Sequence, residues 1–173
     1  IKAAPGIARD AVPAGWEVEF IADRRDLKEA ALWSPALAAG TSRATILPQG
    51  HVLLPIPGEE VAHRDPGAFL LDPNPAVTRA GLVEDLARSL GARKIDPQNA
   101  FLSSDQPLHT PFGRTLRVPN YRLWEQTALI NRLRAPEICP PHLLRTRPPV
   151  RAPAPHPPPT PRGAPRHTAG TPP

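Results

Sequence analysis

Proline is the residue that most limits what this chain can fold into, because it is both abundant and unevenly placed. The chain has 27 prolines in 173 residues, and 14 of them lie in the last 38 residues, 136–173. This stretch also has almost no large apolar side chain after Leu144, and it cannot bury enough surface to offset the entropy of ordering it. We therefore predict a disordered Pro/Arg-rich tail over 136–173, and a folded part over about the first 135 residues.

The positive charge of the chain is concentrated in the same tail. The formal net charge is +5, and residues 136–173 hold five arginines against one acid, Glu137. The remainder of the chain therefore carries a net charge of only +1. The basic balance of the whole chain does not indicate a basic nucleic-acid-binding face on the folded part.

Cysteine and apolar composition exclude several classes of protein. The chain has one cysteine, Cys139, which excludes an internal disulfide and a cysteine-based zinc cage. A single thiol suits the reducing cytoplasm, where we expect the protein to reside. No apolar run approaches the roughly 18 residues that a membrane span needs. The chain also contains no methionine, and we expect an N-terminal portion to precede Ile1.

Residues 13–33 have the pattern of a β-hairpin. Trp16, Val18 and Phe20 recur with a period of two, and the polar run 23–26 predicts a turn. The run 27–33 then predicts a returning strand. A short helix over this second run is the alternative, because lysine, glutamate, alanine and leucine all favour helix.

Two further extended segments are predicted over Ala44–Leu47 and Val52–Ile56. They flank a turn at Pro48–Gly50, where proline and glycine interrupt the apolar pattern. The prolines that follow indicate a linker over 58–67. We predict a boundary between two structural units within this linker.

An amphipathic helix is predicted over 75–90. Asn74 suits the N-cap, and Pro75 suits the first helical position, where its missing amide hydrogen costs nothing. Apolar residues then recur every three or four positions, and Gly91 provides a C-terminal stop.

Short strands are predicted on both sides of this helix, over Phe69–Leu71 and Ala100–Ser103. The unit therefore has the order β-α-β. A further strand is predicted over Arg114–Val118. A second helix follows over 122–134, because apolar side chains recur on one of its faces.

Three stretches, in their order and spacing, resemble one protein family. The first stretch is the segment from Lys2 to Ile7 with Trp16–Phe20 and Lys28–Trp33. The second is Leu71–Leu82, and the third is Thr110–Val118. Together they resemble the C-terminal end of class I S-adenosylmethionine-dependent methyltransferases that carry a THUMP-like domain. The resemblance covers about residues 1–135 and implies an α+β fold.

The resemblance also implies a division of the chain into domains. A Rossmann-like catalytic domain would end within 1–57, with 16–33 as its terminal β-hairpin. The linker 58–67 would lead to a small ferredoxin-like unit over 68–106. A truncated THUMP-like domain would then occupy 107–135, before the tail.

For function, the resemblance implies a parent enzyme that transfers a methyl group from S-adenosylmethionine to a nucleic acid, with RNA as the expected substrate. The family's glycine-rich cofactor loop would lie before Ile1, and this chain has no G-x-G-x-x-G motif. We therefore expect no catalytic, cofactor-binding or metal-binding residue here. The chain alone is expected neither to bind the cofactor nor to turn over.

Scattered cations are the candidate RNA contacts, because folded RNA is recognised largely through its shape and its phosphates. The alternative for these side chains is a solvated surface of mixed charge. The six candidates are Arg79, Arg88, Arg93, Lys94, Arg114 and Arg117.

Other polar residues favour structural roles. The segment Asp72–Pro75 resembles the Asp/Asn-Pro-Pro-aromatic motif of amino-methyltransferases, but Pro75 replaces the aromatic ring, and helix capping explains the segment. Glu17 and Glu19 are predicted to be edge-strand acids that face water, with acid-base catalysis by them or by Glu29 as the alternative. The six histidines lack the spacing of a metal site.

A competing hypothesis comes from another functional class. The chain would then be a non-enzymatic interaction module with a β-α-β core and a proline-rich arm. That arm contains a P-x-x-P motif over Pro158–Pro161, which a groove lined by aromatic side chains could bind.

Overall fold

The structure is a computed structural model that describes residues 1–119, together with Tyr121, Glu125, Thr127, Ile130 and Asn131. The predicted helix 122–134 falls for the most part outside the described residues, and the predicted tail 136–173 falls wholly outside them. No helix among the described residues is long and apolar enough to cross a membrane.

The first half of the chain forms a five-stranded sheet. Its strands are β1 (Lys2–Ala3), β2 (Glu17–Asp23), β3 (Asp26–Trp33), β4 (Ser42–Leu47) and β5 (His51–Leu53). Their order in the sheet is β1-β3-β2-β4-β5. The central strand β2 pairs antiparallel with β3 and parallel with β4, and β5 lies at the far edge as an antiparallel neighbour of β4.

The predicted β-hairpin is confirmed, and the helical alternative for residues 27–33 is wrong. Asp23 lies opposite Asp26 in the register, which leaves Arg24 and Arg25 as a two-residue turn. Arg24 adopts a positive φ of 53°, as such tight hairpin turns require. Pairing with β2 outweighs the helix preference of residues 27–33, because intrinsic propensity contributes less than tertiary packing.

The two predicted strands after the hairpin are confirmed, but the second is shorter than expected. It ends at Leu53 instead of Ile56. The Ile56 amide donates instead to Asp85 Oδ1 at 2.6 Å, which ties this segment to a helix and not to the sheet.

The second half of the chain forms a four-stranded sheet in the order β7-β8-β6-β9, with antiparallel neighbours throughout. Its strands are β6 (Phe69–Pro73), β7 (Arg93–Lys94), β8 (Leu102–Ser104) and β9 (Gly113–Arg117). The predicted order of strand, helix and strand is present, and β7 is an addition that the sequence did not indicate. The strands β6 and β8 are antiparallel neighbours, whereas a β-α-β crossover joins parallel strands. The ferredoxin-like assignment stays a prediction.

The prediction of one helix over 75–90 is wrong, because the helix breaks at Gly81. The structure has α1 (Pro75–Ala80) and α2 (Val83–Leu90). Gly81 lies in the left-handed region at φ 74°, and the Arg9 guanidinium lies directly against its Cα. The apolar periodicity continues across this break, and the pattern therefore reads as a single helix.

Replacing Gly81 by alanine is expected to destabilise the fold by about 1 kcal/mol, and Gly91→Ala by a similar amount, because both glycines have positive φ. The added Cβ at Gly81 would meet Arg9 Nη1, but this is the end of a flexible, exposed side chain that can move aside. Urea unfolding of the two variants measures both losses. A much larger loss in Gly81→Ala would show that Arg9 is held in place.

The two sheets share one hydrophobic core. The inner face of the five-stranded sheet contributes Phe20, and the four-stranded sheet contributes Leu71 and Leu102, together with side chains of α1 and α2. The predicted linker 58–67 is part of this packing, because Val61 is buried in the same core and His63 bridges to Lys94. These residues are therefore not a free connector. The domain boundaries implied by the resemblance stay predictions.

Candidate functional site

Glu17 and Glu19 form a buried acid pair on the face of β2 that points away from the core. Their exposed fractions are 0% and 7%. The prediction that they are edge-strand acids facing water is wrong, because β4 pairs with β2 and makes it a central strand. This pairing joins distant segments, and no local pattern in the sequence indicates it.

The Glu17 carboxylate is held by charge and by hydrogen bonds from two directions. Arg43 donates from Nε to Oε1 at 2.6 Å and from Nη2 to Oε2 at 2.8 Å, and the Ala39 amide donates to Oε2 at 2.7 Å. Desolvation of the buried carboxyl raises its pKa. The hydrogen bonds from Arg43 and Ala39 and the charge of Arg43 outweigh that effect, and the pKa of Glu17 lies below its usual value.

Glu19 is held by neutral donors. Trp33 Nε1 donates to Oε2 at 2.8 Å, and the Thr45 hydroxyl donates to Oε1. The Arg43 guanidinium lies 5.4 Å from the centre of the Trp33 ring, which links the two acids into one network. Both carboxylates are occupied by intrachain donors, and the geometry therefore favours a structural role over acid-base catalysis. Glu29 pairs with Lys2 on the same face.

The capping role predicted for Asn74 is confirmed. Its Oδ1 accepts from the Ala76 amide at 3.0 Å, and Asn74 is only 2% exposed. Its Nδ2 donates to the Arg24 carbonyl in the hairpin turn. Since both polar atoms of the side chain are engaged within the chain, Asn74 has no group available to hold a target amine.

Asp72, two residues before Asn74, extends this contact. Arg25 donates to the Asp72 carboxylate at 2.7 Å and to its carbonyl at 3.2 Å, and Arg114 approaches the same carboxylate at 3.5 Å. We call these residues the hairpin latch: Arg24, Arg25, Asp72, Asn74 and Arg114. The latch joins the β2–β3 turn of the first sheet to the β6–α1 junction of the second.

Two of the six candidate RNA-binding cations make hydrogen bonds that connect a helix to another segment of the chain. Arg79 Nη2 donates to the Ile7 carbonyl at 2.7 Å, and its guanidinium lies 5.6 Å from the centre of the Phe20 ring. Arg88 donates to the Ile56 carbonyl at 2.9 Å and to Asp85 at 3.0 Å. Both side chains therefore already donate to carbonyl or carboxylate groups within the chain.

The other four candidates are divided between two strands. On β7, Arg93 makes a bidentate pair with Asp105 at 2.8 and 2.9 Å, and Lys94 binds Glu84 at 3.0 Å. On β9, Arg114 belongs to the hairpin latch, whereas exposed Arg117 makes no ion pair with any other described residue. The structure brings only Arg88 and Lys94 to a common site, and the six cations do not form one surface. RNA binding by them stays a prediction.

That common site is a cleft of about 590 Å³ beside the start of α2. The α1–α2 junction, Arg9 and the loop after β7 line this open cleft. Arg9, Glu84, Asp85 and Asn99 line the cleft together with Arg88 and Lys94. Sequence reasoning missed Arg9 and Asn99, because neither lies in a motif and only the tertiary fold brings them together. Among the described residues no group of three metal-ligating side chains gathers here or elsewhere.

No protein-family model matches the chain. A segment of 111 residues is 38% identical to two uncharacterized S-adenosylmethionine-dependent methyltransferases of Mycobacterium tuberculosis, from strains CDC 1551 and H37Rv. The match covers 61% of this chain and 31% of each relative. The chain is similar to S-adenosylmethionine-dependent methyltransferases. It spans about a third of the length of these curated relatives.

A solved structure shares the fold. The crystal structure of a proposed methyltransferase from Porphyromonas gingivalis W83 matches with a TM-score of 0.56 at 21% sequence identity. The match covers 77% of this chain and 37% of that chain. The structural match agrees with a mixed α/β arrangement of sheets and few helices.

Proposed function

We propose that this chain is part of an S-adenosylmethionine-dependent methyltransferase whose substrate is a nucleic acid, with RNA as the expected class. In this proposal the chain completes the catalytic sheet and contributes a THUMP-like region to substrate binding. The observation that carries the proposal is the 38% identity over 111 residues to named methyltransferases. The choice of RNA rests on the resemblance of residues 107–135 to a THUMP-like region.

The five-stranded sheet supports the role in completing a larger sheet. Its β2–β4 pair is parallel, and parallel pairs are typical of sheets that are covered on both faces. One face packs against α1. At the edge of the sheet, β1 covers only part of the outer side of β3, at Ala30 and Ala31. The uncovered part of this edge is the surface against which the rest of the enzyme would pack.

The buried carboxylates among the described residues already have partners within the chain and are not available to the ribose hydroxyls of S-adenosylmethionine. Glu17 pairs with Arg43, Glu19 accepts from Trp33, and Asp85 pairs with Arg88. Glu84, in the cleft, is held by Lys94. We therefore assign cofactor binding and methyl transfer to the remainder of the protein. The isolated chain should show no calorimetric binding of S-adenosylmethionine, and binding at micromolar concentration would contradict this division.

A chimeric enzyme tests the proposed function. In one Mycobacterium tuberculosis relative, the aligned segment is replaced by the matching segment of this chain, and the chimera is incubated with S-adenosylmethionine labelled with tritium in the methyl group. We expect label in RNA when RNA, DNA and protein fractions are offered together. The matched control deletes the segment and should lose that activity. Label found in protein alone would contradict the proposal that the substrate is a nucleic acid. Full activity of the deletion variant would contradict the proposal that this segment contributes to the enzyme.

A further inference from the structure

We propose that the outer face of the four-stranded sheet is a docking surface for the segment 122–134 of the same chain, which packs on it as an amphipathic helix. The outer face is the one that points away from the shared core. Most of the segment lies outside the described residues, whereas the strands of the sheet are all described. This packing does not depend on the proposed function, because it involves contacts within the chain only.

A buried leucine marks the outer face of this sheet. Successive side chains of a strand point to opposite faces, and Leu70 therefore points away from Leu71, which belongs to the shared core. Leu70 is nevertheless only 8% exposed. Its cross-strand neighbour Leu116 is half-buried on the same face, and neither of the two belongs to the shared core. The outer face therefore has an apolar centre that is covered.

The cover comes from this chain but not from α1 or α2. A single copy of the chain already buries Leu70, and no second copy is needed. The buried side chains of α1 and α2 pack in the shared core with Leu71 and Leu102, on the other side of the sheet. A further segment must therefore lie over Leu70 and Leu116.

The chain leaves β9 in a direction that crosses this sheet. The Val118 amide donates to the Ala68 carbonyl at 2.8 Å. Tyr121 then lies beside Asp65, because a hydrogen bond with this carboxylate and its charge raise the pKa of Tyr121. The Asp65 carbonyl in turn accepts from Arg93 of β7 at 3.3 Å. Since β7 and β9 are the two edges of the sheet, the segment after residue 121 begins beside the sheet and not away from it.

The segment after Tyr121 has the pattern and the length that such a cover needs. Thr127, Ile130 and Asn131 are helical in the structure. On this helix, Leu129, Ile130 and Leu133 fall on one side, as on an amphipathic helix that packs through one face. Ile130 keeps 39% of its surface exposed and would lie at the margin of the contact.

The distance to the outer face is short enough for this segment. The residues between 119 and 127 can span up to roughly 25 Å when extended. Leu70 lies on β6, the direct neighbour of β9, and adjacent strands are about 4.8 Å apart. The region 107–135 would then belong to the same structural unit as the four-stranded sheet.

Methyl NMR on the intact chain tests the contact directly. With leucine and isoleucine methyl groups labelled, we expect nuclear Overhauser cross-peaks that join Leu129 or Leu133 to Leu70 or Leu116. A sample that mixes labelled and unlabelled chains separates contacts within one chain from contacts between copies. Cross-peaks between copies only, or none from Leu70 and Leu116 to the segment, would overturn the proposal.

Leu133→Asp tests the contact from the side of the segment. A charge on the packed face should release the helix and raise the amide exchange rates of Thr127 and Ile130 about tenfold or more. Asn131→Asp is the matched control, because it adds the same charge in the same turn at an exposed position. It should change these rates by less than about threefold. Equal increases in the two variants would contradict the docking.

Leu116→Ala tests the contact from the side of the sheet, without adding a charge. We expect it to raise the exchange rate of the Thr127 amide about threefold or more, because the helix loses part of its support. Thr115→Ser is the control on the same strand, since Thr115 lies opposite Leu71 and points to the other face. It should leave the Thr127 rate unchanged. If Thr127 does not respond to Leu116→Ala, the segment does not rest on this face.

Discussion

Replacing Arg43 by alanine is expected to lower the free energy of unfolding by about 3 to 5 kcal/mol. Arg43 is the cationic partner of Glu17, which has no exposed surface. Without the guanidinium, a carboxylate would remain buried with only backbone donors, and removing one partner of a buried ion pair has a cost of this size. Urea unfolding at neutral pH measures the change.

Arg117→Ala is the control for the loss of an arginine from a strand. Arg117 is exposed, and its removal should change the free energy of unfolding by less than about 0.5 kcal/mol. A loss below about 1 kcal/mol in Arg43→Ala would show that water or another donor compensates Glu17.

Acidic pH offers a further check on the same pair. The pKa of Glu17 is lowered in the folded state, and its ionised form therefore stabilises the fold at neutral pH. That contribution is fully present above the usual pKa of a glutamate and is lost as the pH falls through the lowered pKa of Glu17. The difference in stability between wild type and Arg43→Ala should shrink over this range. If the stability difference between the wild type and Arg43→Ala does not change with pH, the charge of Glu17 is not its cause.

Phe20→Ala is expected to destabilise the fold by about 3 to 5 kcal/mol, in the range found for large aromatic side chains removed from cores. Phe20 is fully buried on the inner face of β2, and Arg79 lies over its ring. The core it occupies also contains Leu102 of β8, in the other sheet. We therefore expect the loss to reach both sheets, and amide hydrogen exchange reports it strand by strand.

The decisive measurement for Phe20→Ala is the protection of the Leu102 amide. If the two sheets unfold as one cooperative unit, protection at Leu102 and within β2 should fall by similar free energies. Val52→Ala, at an exposed position on β5, is the control. It should leave the exchange free energies of the Leu102 amide and of the β2 amides within about 0.5 kcal/mol of the wild type. Reduced protection confined to β2 would show that the sheets are separate units despite their shared core.

Local structure was predictable because its causes lie within a few residues. The alternation from Trp16 to Phe20 predicted β2, and the polar run after it predicted the turn. Asn74 and Pro75 predicted the start of α1, since capping depends on adjacent amides. Gly91 likewise predicted the end of α2.

The candidate site was less predictable, because it depends on partners far apart in sequence. Six cations appeared equivalent in the sequence, but Arg79 and Arg93 are bound to Ile7 and Asp105 in the structure. Arg9 and Asn99, which line the cleft together, are ninety residues apart in the numbering and share no motif. A sequence pattern over neighbouring positions cannot indicate which distant residues come into contact in the folded chain.

The amino-acid sequence by itself determined the hairpin, the capped start of α1 and most strands of the two sheets, though not β1 or β7, because periodicity and turn chemistry act over short distances. The tertiary structure alone decided that β2 lies between β3 and β4, which buries Glu17 and Glu19, and that the 75–90 segment breaks at Gly81 under Arg9. Burial and charge pairing depend on which distant segments meet, and only the folded chain brings those segments together.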